Sequence, residues 1–343
     1  MRGLMQAVVY TKTGSSDVLR LVDRDDPKPA PGEVCVAISR AGVNPTDVKT
    51  RAGSSSGQPV DPAQVPGQDG AGIVTAVGEG VDAGLVGQRV WIWEAAYQRP
   101  QGTAQQQAAV PVRQIVRLPD GISFDTGASL GIPFITAHRC LTIGEHAPQH
   151  LGPGALAGHT VLVAGGAGAV GNAAIQLARW SDALVIATVS GPQKGGLAAL
   201  AGADHVINYR DQDVAAEIRK IAPAGVDSIV EVAIASNATL DTEVLRVGGS
   251  LASYANDGGS EVTLSIRALM SKNTRVQFVL VYTAPEESKR RAIDDISAAL
   301  TTGSIRVGAE AGLPLHHYPL ERAGEAHAAV EGGAVGKVLL VIA

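Results

Sequence analysis

The chain has 343 residues, 45% hydrophobic and 18% charged, which is enough for two domains with proper cores. A net charge of −5 with no basic tract disfavours nucleic acid or an anionic membrane as the main partner. No apolar run reaches transmembrane length, and the N-terminal MRGLMQAVVY has no signal-peptide core, so a cytoplasmic protein is expected, with Met5 a second candidate start. Two cysteines, Cys35 and Cys140, are too few for a disulfide framework or a cysteine-based zinc site.

In chain order, Gln6–Tyr10 and Val34–Ile38 have short β-like patterns. Between them Asp25–Pro31 (DDPKPAP) is a connecting loop, because its prolines lack N–H donors and fix φ. Ala71–Val77 and Arg89–Trp93 are further strands, separated by the turn-rich Gly78–Gly87. Residues 1–132 therefore read as a β-rich domain. Phe124–Leu141 looks helical on either side of Pro133, and the domain junction is placed there.

Next comes Thr160–Ala178, TVLVAGGAGAVGNAAIQLA. The apolar run Val161–Ala164 suits a strand buried on both faces. Gly166, Gly168 and Gly171 then fit G-x-G-x-x-G at the opening of a helix. One glycine permits the turn, the next lets backbone approach a pyrophosphate, and the third lets helix pack on strand. The helix N-terminus offers free N–H groups and a partial positive charge to phosphate. Leu184–Val189, Lys194–Leu200, His205–Asn208, Asp213–Ile221 and Ser228–Val232 continue the strand–helix alternation of a doubly wound parallel sheet. Val276–Val281 is its expected last strand, so residues 133–282 are assigned to a dinucleotide-binding domain. Glu286–Leu300 reads as an amphipathic helix and Lys337–Ile342 as a final strand. Residues 283–343 are expected to return to the first domain, with a cleft between domains as the default active site.

Ala41–Asp47 (AGVNPTD), Pro66–Gly78 (PGQDGAGIVTAVG), Gly87–Val90 (GQRV), the glycine fingerprint, Val206–Arg210 (VINYR) and Gly336–Lys337 carry a resemblance across nearly the whole chain. It resembles the medium-chain dehydrogenase/reductase superfamily, and within it the zeta-crystallin-like quinone oxidoreductases. The resemblance implies an α/β fold: a GroES-like β-rich catalytic domain plus a Rossmann doubly wound parallel sheet, bound NADPH, and a homodimer. Zinc-dependent cousins carry metal ligands at positions that here hold Asn44, Gln68 and Ile132. Asn and Gln are poor zinc ligands and Ile is none, so a metal-free enzyme is expected. Asp69 reads as a lone carboxylate accepting in a turn.

Cofactor choice rests on the end of the second strand. Val189–Lys194 holds no acid to bind ribose hydroxyls or repel a 2′-phosphate, while Ser190 can donate and Lys194 supplies a cation. A solvated lysine there would oppose the helix dipole, which favours an anionic partner. The resemblance extends the cofactor-binding set to Gly166, Ala167, Gly168, Ala169, Val170, Gly171, Ser190, Lys194, Tyr209, Tyr254, Val279 and Lys337, with Arg210 a further phosphate-side cation.

Without metal the reaction is hydride or electron delivery from the nicotinamide, and the protein's task is to orient and to stabilise negative charge. By the resemblance Asn44 stands beside nicotinamide and substrate; otherwise it is a turn residue before proline. Thr46 aligns with the proton-relay hydroxyl of the zinc enzymes, a role that lapses without zinc. Lys49 replaces a tyrosine of similar reductases and either donates to a substrate carbonyl or faces water. Trp93 and Tyr97 could supply the missing aromatic surface or lie on a surface loop, and His138 is expected to pack. The expected substrates are quinones or similarly conjugated carbonyls. The alternatives are the double bonds of enones, alkenals or enoyl thioesters, or a non-catalytic NADPH-binding role. Arg275–Tyr282, an apolar β-prone run at the sheet edge, is the expected dimer contact.

Overall fold

The computed structural model describes residues 4–342. It divides into two units, one formed by the chain up to Ile132 together with Leu315 onward, the other by Pro133–Pro314.

The first unit opens with β1 (Leu4–Lys12), β2 (Arg20–Asp25) and β3 (Glu33–Val43), followed by helix α1 (Pro45–Ala52). Strands β4 (Pro59–Gln64), β5 (Asp69–Val77), β6 (Arg89–Ile92), β7 (Gln107–Pro111) and β8 (Ile115–Arg117) follow. α1 begins where the chain can no longer extend: Asn44 occupies its N-cap, Pro45 its first position, and Asp47 accepts the Asn44 N–H at 2.8 Å. The β-rich reading of this region did not foresee α1, nor the strands β2, β4, β7 and β8. Helix α2 (Phe124–Leu141) is continuous through Pro133 and kinks instead at Gly131, where φ is −16° and ψ −106°.

The second unit contains β9 (Thr160–Ala164), α3 (Ala169–Trp180), β10 (Leu184–Val189), α4 (Pro192–Ala201), β11 (His205–Asn208), α5 (Val214–Ile221) and β12 (Val226–Glu231). It continues through α6 (Ile234–Val244), β13 (Leu245–Ser253), α7 (Ile266–Ser271), β14 (Arg275–Phe278) and α8 (Glu286–Thr301). The six strands form one all-parallel sheet in the order β11-β10-β9-β12-β13-β14. This is the doubly wound order, and its direction reverses between β9 and β12, where such sheets bind ligands. Leu162, Ile186, Ile229 and Leu251 share an apolar cluster with Ile218 of α5 and Ala238 of α6. The alternate residues Val161, Val163, Val185, Ala187 and Val230 are equally buried, and α3 packs on β9 and β10. Both faces are covered, which is why these strands are apolar without alternation.

α8 belongs to this unit, so the return begins at Leu315 and not at residue 283. The reason is polar as well as apolar. Besides burying Ala292, Ile296 and Leu300, α8 supplies Asp295, whose carboxylate meets the rings of His138 at 2.7 Å and His150 at 2.9 Å and the Leu151 N–H at 2.6 Å. β14 is shorter than expected, and Val281–Thr283 forms a 3-10 turn.

The returning chain adds β15 (Leu315–Pro319), α9 (Ala323–Glu331) and β16 (Lys337–Val341). β16 pairs antiparallel with β3, from Val338 opposite Val43 to Val341 opposite Arg40. The resulting sheet runs β15-β16-β3-β5-β6-β8 with β7 also on β3, and β2-β1-β4 forms a second sheet. Val8, Val36, Ile38, Val74, Val90 and Leu340 lie in the shared core.

Candidate functional site

In the second unit the glycine turn joins β9 to α3. Gly165 sits at φ 69°, and the N–H groups of Gly165 and Gly166 donate to Thr188 O at 3.1 and 3.2 Å, which ties the turn to the end of β10. Gly168 is the N-cap of α3 and has no side chain to satisfy it, so the amides of Ala169, Val170 and Gly171 open the helix without a side-chain acceptor. The two later glycines have different reasons. A Cβ on Gly171 would stand 2.4 Å from Gly165 O, so this position is glycine for packing. A Cβ on Gly168 would meet nothing nearer than 3.5 Å, so nothing within the protein requires glycine there. A backbone bared for a ligand explains it, and the turn fits a dinucleotide pyrophosphate.

The ends of β10 and β11 are adjacent, with Val189 opposite Asn208 and the Tyr209 N–H on Val189 O at 3.1 Å. Ser190 and Tyr209 therefore emerge side by side. Lys194 is third in α4, half-buried, and its ammonium has no hydrogen-bond or ion-pair partner among the described residues. Tyr209 is 53% exposed and Arg210 is exposed. At the ends of the later strands, the Tyr254 N–H donates to Glu231 O at 3.1 Å and the Val279 N–H to Ser253 O at 2.8 Å. The Tyr254 phenol is held well above its ordinary range by burial first, then by Cys140 and Glu231. A buried carboxyl pair, unforeseen from the sequence, lies beside it. Burial and the neighbouring Glu231 push Asp241 up to about 9, while Glu231 accepts from Ala233 N and Asn237 Nδ2. An acid ending an apolar strand, as in VDSIVEVA, was the available signal.

The first unit holds a polar cluster in its core. Asn44, Asp69 and Lys337 are 3%, 0% and 2% exposed. Asn44 Nδ2 donates to Asp69 Oδ2 at 2.7 Å, and Lys337 Nζ donates to Asn44 Oδ1 at 2.7 Å and to Asp69 Oδ2 at 3.3 Å. Ile132 N donates to Asp69 Oδ1 at 2.9 Å. A Cβ on Gly131 would come within 2.0 Å of that oxygen, which explains why glycine stands at the kink of α2. Asp69 is thus a paired carboxylate and not a lone turn acceptor: stripped of water, it needs a countercharge. Burial still raises its pKa against the opposing effect of Lys337. Lys337, expected at the cofactor, commits its ammonium to this pair. Asp47 accepts from the N–H groups of Asn44 and Gly67, yet burial pushes it up to about 7.

Of the other expected residues, Thr46 is half-buried and Lys49 lies exposed on α1. Trp93 is 0% exposed, its backbone N–H on Gln114 O, so it offers no stacking surface; Tyr97 is half-buried. His138 packs, as expected. The positions of the zinc cousins' ligands are engaged in the protein itself: Gln68 Oε1 accepts from Ala96 N at 3.1 Å, and Ile132 contributes only its N–H. Among the described residues no group of three or more His, Cys, Asp or Glu is placed to share a metal ion. Among them, too, no helix is long and apolar enough to cross a membrane.

Residues 30–120 match the alcohol dehydrogenase GroES-like domain, and residues 169–298 the family described as zinc-binding dehydrogenase. Quinone oxidoreductase of Lama guanicoe is 31% identical over 99% of this chain and 98% of its own. A mycobacterial protein solved in complex with NADPH is 28% identical, with a TM-score of 0.81 over 98% of this chain and all of its own. A structure described as an NAD-dependent alcohol dehydrogenase is 27% identical, with a TM-score of 0.85 over 99% of this chain and all of its own. The fold alone therefore does not select the nucleotide.

Proposed function

The chain belongs to the quinone oxidoreductase family of the medium-chain dehydrogenase/reductase superfamily, and we propose that it is an NADPH-dependent, zinc-independent reductase of quinones or similarly conjugated carbonyls. The observation that carries the nucleotide choice is Lys194, without a hydrogen-bond or ion-pair partner among the described residues, beside Ser190, with no carboxylate from Val189 to Lys194. The NADPH in the mycobacterial relative supports the same reading. When bound, NADPH supplies the hydride or electrons. The chain's own part begins at α3, whose first amides and positive end hold the pyrophosphate. Lys194 and Ser190 hold the 2′-phosphate, with Arg210 near it and Tyr209 beside the adenine. Asn44 donates an Nδ2–H to the substrate oxygen that gains negative charge. Lys49 is a second donor, reaching the substrate from the exposed side of α1.

The subunits pair across β14, a sheet edge bonded on one side only, where Phe278 and Leu280 are 58% and 54% exposed. The second reading, reduction of the double bond of enones, alkenals or enoyl thioesters, is favoured by buried Trp93 and by lysine at position 49, which leave little aromatic surface for a flat quinone. Steady-state rates with 1,4-benzoquinone and with simple enones separate the two.

Lys194→Ala tests the nucleotide reading. A charge-assisted hydrogen bond contributes about 1.5–3 kcal/mol, so NADPH affinity should fall about ten- to a hundredfold while NADH affinity holds. Equal losses for both would overturn it.

A further inference from the structure

We propose that Lys337 and Asp69 are positioning residues for the reduction: they lock the Asn44 amide in one orientation, so that it meets the substrate as a donor. The inference rests on the reading of Asn44 as the substrate-facing group. Three positions distant in sequence close a triangle of contacts, 2.7 Å from Lys337 Nζ to Asn44 Oδ1, 2.7 Å from Asn44 Nδ2 to Asp69 Oδ2 and 3.3 Å from Lys337 Nζ to Asp69 Oδ2. An ammonium can only donate, so the amide atom it touches must be the oxygen. The other amide atom is then the nitrogen, and the carboxylate accepts from it. Asn44 keeps one N–H beyond these bonds.

The anchors of the triangle are rigid. Asp69 Oδ1 takes the Ile132 N–H at 2.9 Å where α2 kinks, and Lys337 starts β16, which is laddered to β3 just before Asn44. A buried ion pair is a weak source of stability, and apolar side chains of similar volume often serve as well. Specifying the orientation of a neighbouring amide is a task that apolar side chains cannot perform. Without the ammonium, Asp69 is left buried with no countercharge and takes up a proton; as a carboxylic acid it can donate to the amide oxygen, so a half-turn of the Asn44 amide would then point its oxygen at the substrate and repel the charge that the reaction places there.

The test is a double-mutant cycle on the full chain, with kcat and KM for 1,4-benzoquinone, NADPH affinity by fluorescence titration and the melting temperature measured for each variant. Asn44→Ala should lower kcat about a hundredfold. Lys337→Met should lower kcat at least about tenfold with NADPH affinity held, and in the Asn44→Ala background it should change kcat less than about twofold. Should Lys337→Met fail to fold, Asp69→Asn/Lys337→Met removes both charges and enters the cycle in its place, with the same expectation. A folded variant with full kcat, or losses that add to that of Asn44→Ala, would overturn the positioning role and leave Asn44 in place. A silent Asn44→Ala would overturn the reading of Asn44 itself, and the inference with it.

Discussion

Two glycines of one fingerprint should respond oppositely to the same methyl group. In Gly171→Ala the new carbon would stand 2.4 Å from Gly165 O and 3.0 Å from Gly166 Cα, both backbone atoms that cannot rotate away. Overpacking of this kind costs about 3 kcal/mol, offset by about 1 kcal/mol of helix propensity. The net loss of about 2 kcal/mol should lower Tm by about 4–8 °C for a unit of this size. In Gly168→Ala the backbone is already extended, at φ −78° and ψ 164°, and the nearest atom to the methyl is 3.5 Å away. Alanine is a poorer N-cap but loses less chain entropy, and the two effects, each below about 1 kcal/mol, nearly cancel. Its Tm should stay within about 2 °C of the parent. NADPH affinity should nevertheless fall at least about tenfold, because the methyl occupies the approach of the pyrophosphate. Thermal melts without cofactor and fluorescence titration with NADPH measure the two effects separately. If Gly168→Ala melts as low as Gly171→Ala, or binds NADPH within twofold of the parent, the division of roles is refuted.

Asp47 should make stability depend on pH. Its carboxyl is raised from 3.8 to about 7, by burial first and also by Asp69, so between those values the folded state keeps a proton that the unfolded state has released. Stability contributed by this group therefore falls as pH rises from about 4 to about 7, by up to about 1.4 kcal/mol per pH unit. Asp47→Asn should flatten that slope in urea unfolding; an unchanged slope would mean the carboxyl is ionised throughout. At the sheet edge, Phe278→Asp should convert a micromolar dimer to monomer in sedimentation velocity, and a monomeric parent would count against the pairing. Lys49→Met should lower kcat and kcat/KM together with NADPH affinity held if its ammonium acts on the transition state. Values within about twofold of the parent would assign Lys49 to solvent.

The strand–turn–helix around Gly166–Gly171 and the alternation after it were legible in the sequence because their signals are local. An apolar run, a glycine spacing and a 3.6-residue period each depend on neighbours a few positions away. The absence of an acid between Val189 and Lys194 is local in the same sense. The helix Glu286–Thr301 was legible as a helix but not as part of the second unit. Its place depends on Asp295 meeting His138 and His150, partners some 150 positions away in the chain. Trp93 looked like a loop residue available to a ligand, and only the packing at the end of β6 buries it. Phe124–Leu141 was read as helical on either side of Pro133, whereas the helix is interrupted at Gly131, where an aspartate from β5 takes the space a side chain would need. Lys337 was expected at the cofactor by resemblance, and only the pairing of β16 with β3 showed that its ammonium meets Asp69 and Asn44. Backbone preference is written residue by residue. The choice of partner for a buried charge is not, because it is made by whichever opposite charge the completed fold brings within about 3 Å in a medium that cannot solvate either alone.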